Sequence, residues 1–217
     1  MLFQYAQLAR DSIRLIKIDP SSSAVDIHLT LSHQNRYFEK PARYTAIWYP
    51  AATPDAERKP VTLNGRTRTL PLEAWNVLSA ICEHHDRDDS YWIDAVCINQ
   101  QDEAEKRFHL QQLENIFSSA NKVILWLGAS DQAVESAFPA LDGRAEPTIE
   151  VADAARSIAK RESFIEALRK PELQQVDAVM MSGRSTCRLG AFKDFLQKGP
   201  SSSQSVPTHG RQSAGSL

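Results

Sequence analysis

The run Lys122–Gly128, KVILWLG, constrains this chain more than any other stretch. Val123 through Leu127 leave no polar face, and a glycine closes the run. A strand of this kind is buried on both sides, which belongs to a parallel sheet lying between layers of helix. The chain reaches it through a helical pattern over Asp102–Ala120, where Leu113, Ile116, Phe117 and Ala120 share one face. Asp102 suits the N-cap. Glu105, three residues on, makes a capping box with Asp in place of Ser or Thr. Ahead of that helix stands Tyr91–Gln100, YWIDAVCINQ, which begins as a buried strand, carries Asp94 inside its apolar run and passes through Cys97, Asn99 and Gln100. Strand, helix and strand from Tyr91 to Gly128 form a βαβ unit, whose crossover is expected to be right-handed. The polar cluster falls where a strand's carboxyl end meets a helix N-terminus, a place where α/β folds build sites.

The flanks are read around this unit. Ser12–Asp19, with Ile13, Leu15, Ile16 and Ile18 among charges, and Val25–Leu31, which alternates apolar and polar residues, predict a β-hairpin, with His28 on the polar face of the second strand. Tyr44–Tyr49 is a bulky, β-prone strand ended by Pro50, and residues 50–60 read as an exposed loop. Val61–Leu63 and Arg66–Leu70 flank Asn64–Gly65, a strong short hairpin signal. Thr69 as N-cap and Pro71 in the first turn open a helix with Leu72, Trp75, Leu78, Ile81 and Cys82 on its core face and His84 and His85 at its end. After Gly128 come a loop-rich stretch with room for one short helix (Ser130–Pro147), a helix over Val151–Lys170 and a short helix over Leu173–Met181. From Gly199 onward the Ser-, Gly- and Gln-rich composition reads as a disordered tail. The expected class is α/β: a central, largely parallel sheet flanked by helices, with an N-terminal β-hairpin. An α/β domain spans 12–130, a helical C-terminal extension 131–198 and the tail 199–217.

Composition mainly excludes. A length of 217 residues suits one domain with an appendage. A net charge of −2, with basic residues dispersed among acids, argues against nucleic acid or an anionic membrane as partner. Three irregularly spaced cysteines, Cys82, Cys97 and Cys187, are no disulfide framework and point to a reducing compartment. No apolar run approaches the length of a membrane span, and no signal peptide is visible. A cytoplasmic protein is expected. None of the eight glycines builds a phosphate-binding loop, so nucleoside triphosphate chemistry is not expected.

Asp94, Cys97, Asn99, Gln100 and Glu105 admit two readings. They line a polar pocket suited to a phosphate, a ribose or a carbonyl, or they brace the loop: Asp94 on backbone N–H groups, Asn99 in a turn, Glu105 as a cap. Burying the Asp94 carboxylate unpaired is costly, so a partner is expected, with Arg66, Arg68 and Arg107 as candidates. Cys82, His84, His85 and Cys97 lack zinc-site spacing, and no metal is expected. Cys97 as a nucleophile needs a histidine beside it, for which His85 and His109 are nearest in sequence; an inert buried thiol is the alternative.

The series YWIDAVCINQQDEAEKR, Gln111–Gln112, Ile116–Ala120 and KVILWLG resembles the core of the heterokaryon incompatibility (HET) domain. That family carries WIDAICINQ, then D-x-x-E-R, a helix ending I-Y-x-x-A and a strand V-x-V-W-L-G. IRLIKI and LNGRTRTLPLEAWNVLSAI also resemble its upstream elements, so the likeness covers Ile13 to Gly128. The motif positions carried over are Tyr44, Tyr49, Trp92, Asp94, Cys97, Asn99, Gln100, Glu105 and Arg107. The family's Y-x-A-L-S-Y-x-W-G reads YTAIWYPAA here, with Trp48 for Ser and Ala51–Ala52 for Trp-Gly. Its downstream Gly-Arg and aromatic motif is reduced to a lone Gly-Arg within Ser182–Leu189, so the chain looks like a short or degenerate member. The resemblance implies a module of fungal non-self recognition and programmed cell death that works through protein partners or self-association, with no resident cofactor. It also implies distant kinship with TIR domains, some of which cleave NAD; in that alternative Asp94 or Glu105 is catalytic and NAD the ligand. An inactive remnant is the third possibility.

Overall fold

The computed structural model describes residues 3–9, 12–35, 43–50, 53, 55–84, 89–128, 132–142, 149–160, 169–170, 173, 178–183 and 185–198. Among these, nine strands form one sheet: β1 (Ser12–Ile18), β2 (His28–Asn35), β3 (Thr45–Trp48), β4 (Arg58–Leu63), β5 (Arg66–Pro71), β6 (Ser90–Trp92), β7 (Lys122–Trp126), β8 (Ala178–Ser182) and β9 (Ser185–Arg188). The helices are α1 (Leu72–His84), α2 (Asp94–Cys97), α3 (Glu103–Leu110), α4 (Leu113–Ser118), α5 (Gln132–Leu141), α6 (Ile149–Ala159) and α7 (Leu189–Lys198). The α/β class stands.

The strand order is β5-β4-β2-β1-β6-β3-β7-β8-β9. Its centre, β6-β3-β7-β8, is parallel throughout, with Ala46 opposite both Trp92 and Val123, and Ile124 opposite Val179. Numbered along the chain, these four strands run second, first, third, fourth, the order of a doubly wound fold. The expectation of a largely parallel sheet needs correcting. β1 is antiparallel to both β2 and β6, β4 to β5, and β8 to β9, so the sheet is mixed. For β1-β2, β4-β5 and β8-β9 the reason is local, since short connections allow only antiparallel neighbours; β1 with β6 is a long-range antiparallel pair, and β2 with β4 a parallel one. β6 and β7 are also not neighbours, because β3 lies between them.

The expected hairpin of β1 and β2 is present, though its second strand starts at His28 and Val25 is exposed. The Asn64–Gly65 turn joins β4 to β5 with φ of 48° and 72°, the left-handed pair a two-residue hairpin requires. The Asn64 side chain extends the ladder: its Oδ1 accepts from Leu31 N at 2.8 Å and its Nδ2 donates to Leu31 O at 3.3 Å. Thr69 is not a cap; it lies in β5 opposite Pro60, and the helix starts at Leu72.

The helix expected over Asp102–Ala120 is two helices, broken at Gln111–Gln112. Asp102 caps the first as expected, accepting from Ala104 N and Glu105 N, both at 3.0 Å. Of the short helix expected over Leu173–Met181, the end is strand instead: Ala178–Ser182 is β8, paired to β7 along a buried apolar register, while residues 174–177 lie outside the described residues. The segment 131–198 therefore holds two strands as well as helices and continues the sheet that contains β7. Helix α6 covers the first part of the helix expected over Val151–Lys170; residues 161–168 and the tail 199–217 lie outside the described residues. β7 itself is as read, with Val123 to Trp126 buried. Trp126 Nε1 donates to Glu73 Oε2 at 2.9 Å, which ties the start of α1 to this central strand.

Candidate functional site

The signature stretch divides sooner than a strand reading suggests. β6 ends at Trp92, Ile93 stays extended, and Asp94–Cys97 makes one helical turn with Cys97 N donating to Ile93 O at 2.8 Å. The carbonyl of Asp94 then accepts from Ile98 N at 3.1 Å and from Gln100 Nε2 at 2.9 Å, which folds the chain back over the turn. The polar residues around this turn gather into two clusters rather than one cleft.

The first cluster pairs Asp94 with Tyr49. Tyr49 directly follows β3 and Asp94 lies just past β6, so both sit at the carboxyl edge of the parallel strands. The Tyr49 hydroxyl donates to the Asp94 carboxylate, and Ala95 N donates to Asp94 Oδ1 at 2.6 Å. Burial pushes the Asp94 carboxyl up, and these two hydrogen bonds offset only part of that. Burial also pushes the Tyr49 hydroxyl up, reinforced by the neighbouring Asp94 charge. At neutral pH the phenol therefore stays the donor. The partner of Asp94 is this tyrosine and none of the arginines expected: Arg66 and Arg107 are exposed, and Arg68 donates to Ala95 O at 3.3 Å.

The second cluster is built on Arg14 of β1. Its guanidinium is fully buried and forks onto Glu105, Nη1 to Oε1 at 2.5 Å and Nη2 to Oε2 at 3.1 Å. Nη1 also donates to Cys97 O at 3.1 Å, and Nη2 to Ala6 O at 2.8 Å. Glu105 Oε1 accepts in addition from Asn99 N at 2.7 Å. Burial pushes Glu105 up, but Arg14, Asn99 N–H and the His109 charge together hold it below the ordinary carboxylate range. The expected capping box is thus left open. Asp102 caps alone, while Glu105 turns away to lock the signature turn onto β1. Residues 3–9 cover this cluster. Two guanidinium groups stack on the Tyr5 ring, that of Arg14 at 4.7 Å and that of Arg68 at 4.8 Å from its centre, and its hydroxyl donates to Val96 O at 2.5 Å.

The remaining motif residues have structural contacts. Tyr44 donates its hydroxyl to Ile116 O at 2.5 Å, and Trp92 meets Phe117 edge to face at 5.7 Å. Asn99 Oδ1 accepts from Gln101 N at 3.2 Å, a turn-holding bond. Cys97 is buried, and burial pushes its thiol up to about 12, opposite to what a nucleophile needs. His109 is buried on α3, whereas His85, Ala51 and Ala52 lie outside the described residues. Trp48, the departure from the family pattern, is buried in β3. Sequence reasoning missed Arg14 and Tyr5. Period 2 in SIRLIKI places Arg14 on the same face as Ile16 and Ile18, where a charge is not expected, and no local pattern reveals its partner 91 residues away.

Chemically the two carboxylates differ. Glu105 is consumed by three N–H donors, two of them from a buried cation. Asp94 is desolvated, bonded to one phenol and one backbone N–H, and stands at the strand ends where doubly wound sheets bind ligands.

The family described as "Heterokaryon incompatibility protein (HET)" matches residues 29–179, from β2 into β8. Among curated proteins, heterokaryon incompatibility protein 6, OR allele, of Neurospora crassa is 29% identical over 196 residues, covering 82% of this chain. The chain spans 28% of that relative's length. No solved structure matches. The family match takes in both carboxylates together with Tyr49, Asn99 and the paired β3 and β7. The chain belongs to the HET family.

Proposed function

We propose that this chain is a HET module of fungal heterokaryon incompatibility, which contributes to non-self recognition and the cell death that follows it through contact with protein partners or self-association. The observation that carries this is the family match across 29–179, which runs through the sheet centre and the signature turn. The Glu105 fork supports the same reading, because the family's acidic motif residue holds the turn in place here. Forced expression in a fungal host tests it. Growth arrest or death is expected; survival equal to an empty vector, with the protein present on a blot, overturns it.

One observation favours a second reading, a TIR-like NAD-cleaving hydrolase. Asp94 and Tyr49 stand at the carboxyl edge of a second-first-third-fourth parallel order, beside the strand where the connections change direction. A desolvated carboxylate there stabilises positive charge developing on a ribose as nicotinamide departs. Nicotinamide release from NAD by purified chain, lost in Asp94→Asn, is the expected result under this reading; no release from the folded wild type removes it.

A further inference from the structure

Residues 3–9, FQYAQLA, carry no charge and form no regular element, yet they cover the most charged buried cluster in the described chain. Gln4, Ala6, Gln7 and Ala9 are exposed, and the segment is fixed mainly by Tyr5 and by Ala6 O. Beneath it two guanidinium groups stack on one ring, and Glu105 pairs with that of Arg14 alone. Arg58 adds a further positive field at Arg68, and burial depresses Arg68 most of all. Arg14 Nε and Arg68 Nε are both buried without an acceptor among the described residues. A buried donor left unpaired costs free energy, and the neutral strap relieves neither the N–H groups nor the charge.

We propose that the cleft between Arg14 and Arg68 is a peptide-recognition slot for an aromatic side chain flanked by acidic residues, and that Tyr5 is its neutral occupant in cis. The slot reads three features. An aromatic ring enters against both guanidinium groups, as Tyr5 does, where cation–π attraction strengthens as water is excluded. A main-chain carbonyl just after the ring accepts from Arg14 Nη2, as Ala6 O does. A carboxylate next to the ring supplies the acceptor and the charge that the strap lacks. Arg14 keeps Glu105 and Cys97 O when the strap leaves, so the slot survives the exchange. A partner that binds here lies directly on Val96 and Cys97 of the signature turn, which couples peptide capture to the family's motif residues. The inference rests on the reading of the chain as a module that works by protein contact.

The test uses the full chain and two labelled, end-blocked peptides, FQYAQLA and FEYAELA, with binding followed by fluorescence anisotropy. The Tyr5→Ala chain is expected to bind the acidic peptide at least ten times more tightly than the neutral one, and Arg68→Gln added to it is expected to erase that preference. Equal affinities, or a preference that survives Arg68→Gln, overturn the slot. If Tyr5→Ala does not fold, hydrogen exchange on the wild-type chain decides: excess FEYAELA is expected to accelerate exchange over residues 4–9, and unchanged exchange overturns the proposal. A chain that kills cells but captures no peptide refutes the slot alone; a chain that captures peptide but is harmless refutes the incompatibility role alone.

Discussion

Arg14 is a cation with no route to water, and Glu105 is what makes it tolerable. Removing one member of a buried pair leaves the other charge uncompensated, at a cost of roughly 3–5 kcal/mol. Glu105 keeps 12% side-chain exposure, which places Glu105→Ala toward the lower end, about 3 kcal/mol, read as a lowered urea midpoint. The two carboxylates also respond to pH with opposite sign. Glu105 is depressed in the fold, so its contribution is complete above its ordinary value of 4.5 and is lost as pH falls through the lower folded value. Asp94 is raised, so its penalty is absent in acid and grows as pH climbs from 3.8 to the folded value. Asp94→Asn keeps an acceptor for Tyr49 and sheds the desolvated charge. Its melting temperature at pH 7 is expected to equal or exceed wild type, and a clear fall would show that the carboxylate has an ionic partner after all. Neither behaviour was legible in the sequence. Asp94 stood out because a charge interrupts an apolar run, but its phenol partner arrives from a strand 45 residues earlier.

At the scale of elements, the legible features were those set by adjacent residues. Asn-Gly specified its hairpin and Asp102 its cap, because turn and cap chemistry is local. Asn64 does more than accept a left-handed backbone, since its amide also bridges both polar groups of Leu31. Asn64→Ala is therefore expected to cost about 1–2 kcal/mol, from the strained φ and the lost hydrogen bonds, measured by chemical denaturation. Asp102→Ala removes an N-cap and is expected to cost about 1 kcal/mol. The elements misread share a cause. A short apolar run such as Ala178–Met181 satisfies both helix and strand patterns, and only its pairing with β7 decides between them. Helix α7 went unread although Leu189 and Phe192, both buried, already show its spacing.

For the molecule as a whole, the parallel centre and the β1–β2 and β4–β5 hairpins were visible, and the β8–β9 edge and the order of the strands were not. KVILWLG declares burial on both faces, but nothing in it says that β3, 77 residues earlier, will lie beside it. Non-local pairing of this kind is written in packing and leaves no trace in periodicity. The same layout orders local stability. Backbone amides of β3 and β7 are expected to exchange slowest, near the global unfolding limit, while β5 and β9 at the sheet edges exchange fastest. Mass-resolved exchange checks this, and early loss of protection in β3 would contradict the observed order.

The position of β3 has a consequence during synthesis. Both of its neighbours, β6 and β7, are encoded after it, so while residues 49–89 leave the ribosome this buried strand has no ladder partner, and its second edge stays open until β7 follows. An apolar strand with open edges is an aggregation template. The chain should therefore depend on a holdase until Trp126 has emerged, and slowing translation before that point should lower its soluble yield more than slowing it afterwards.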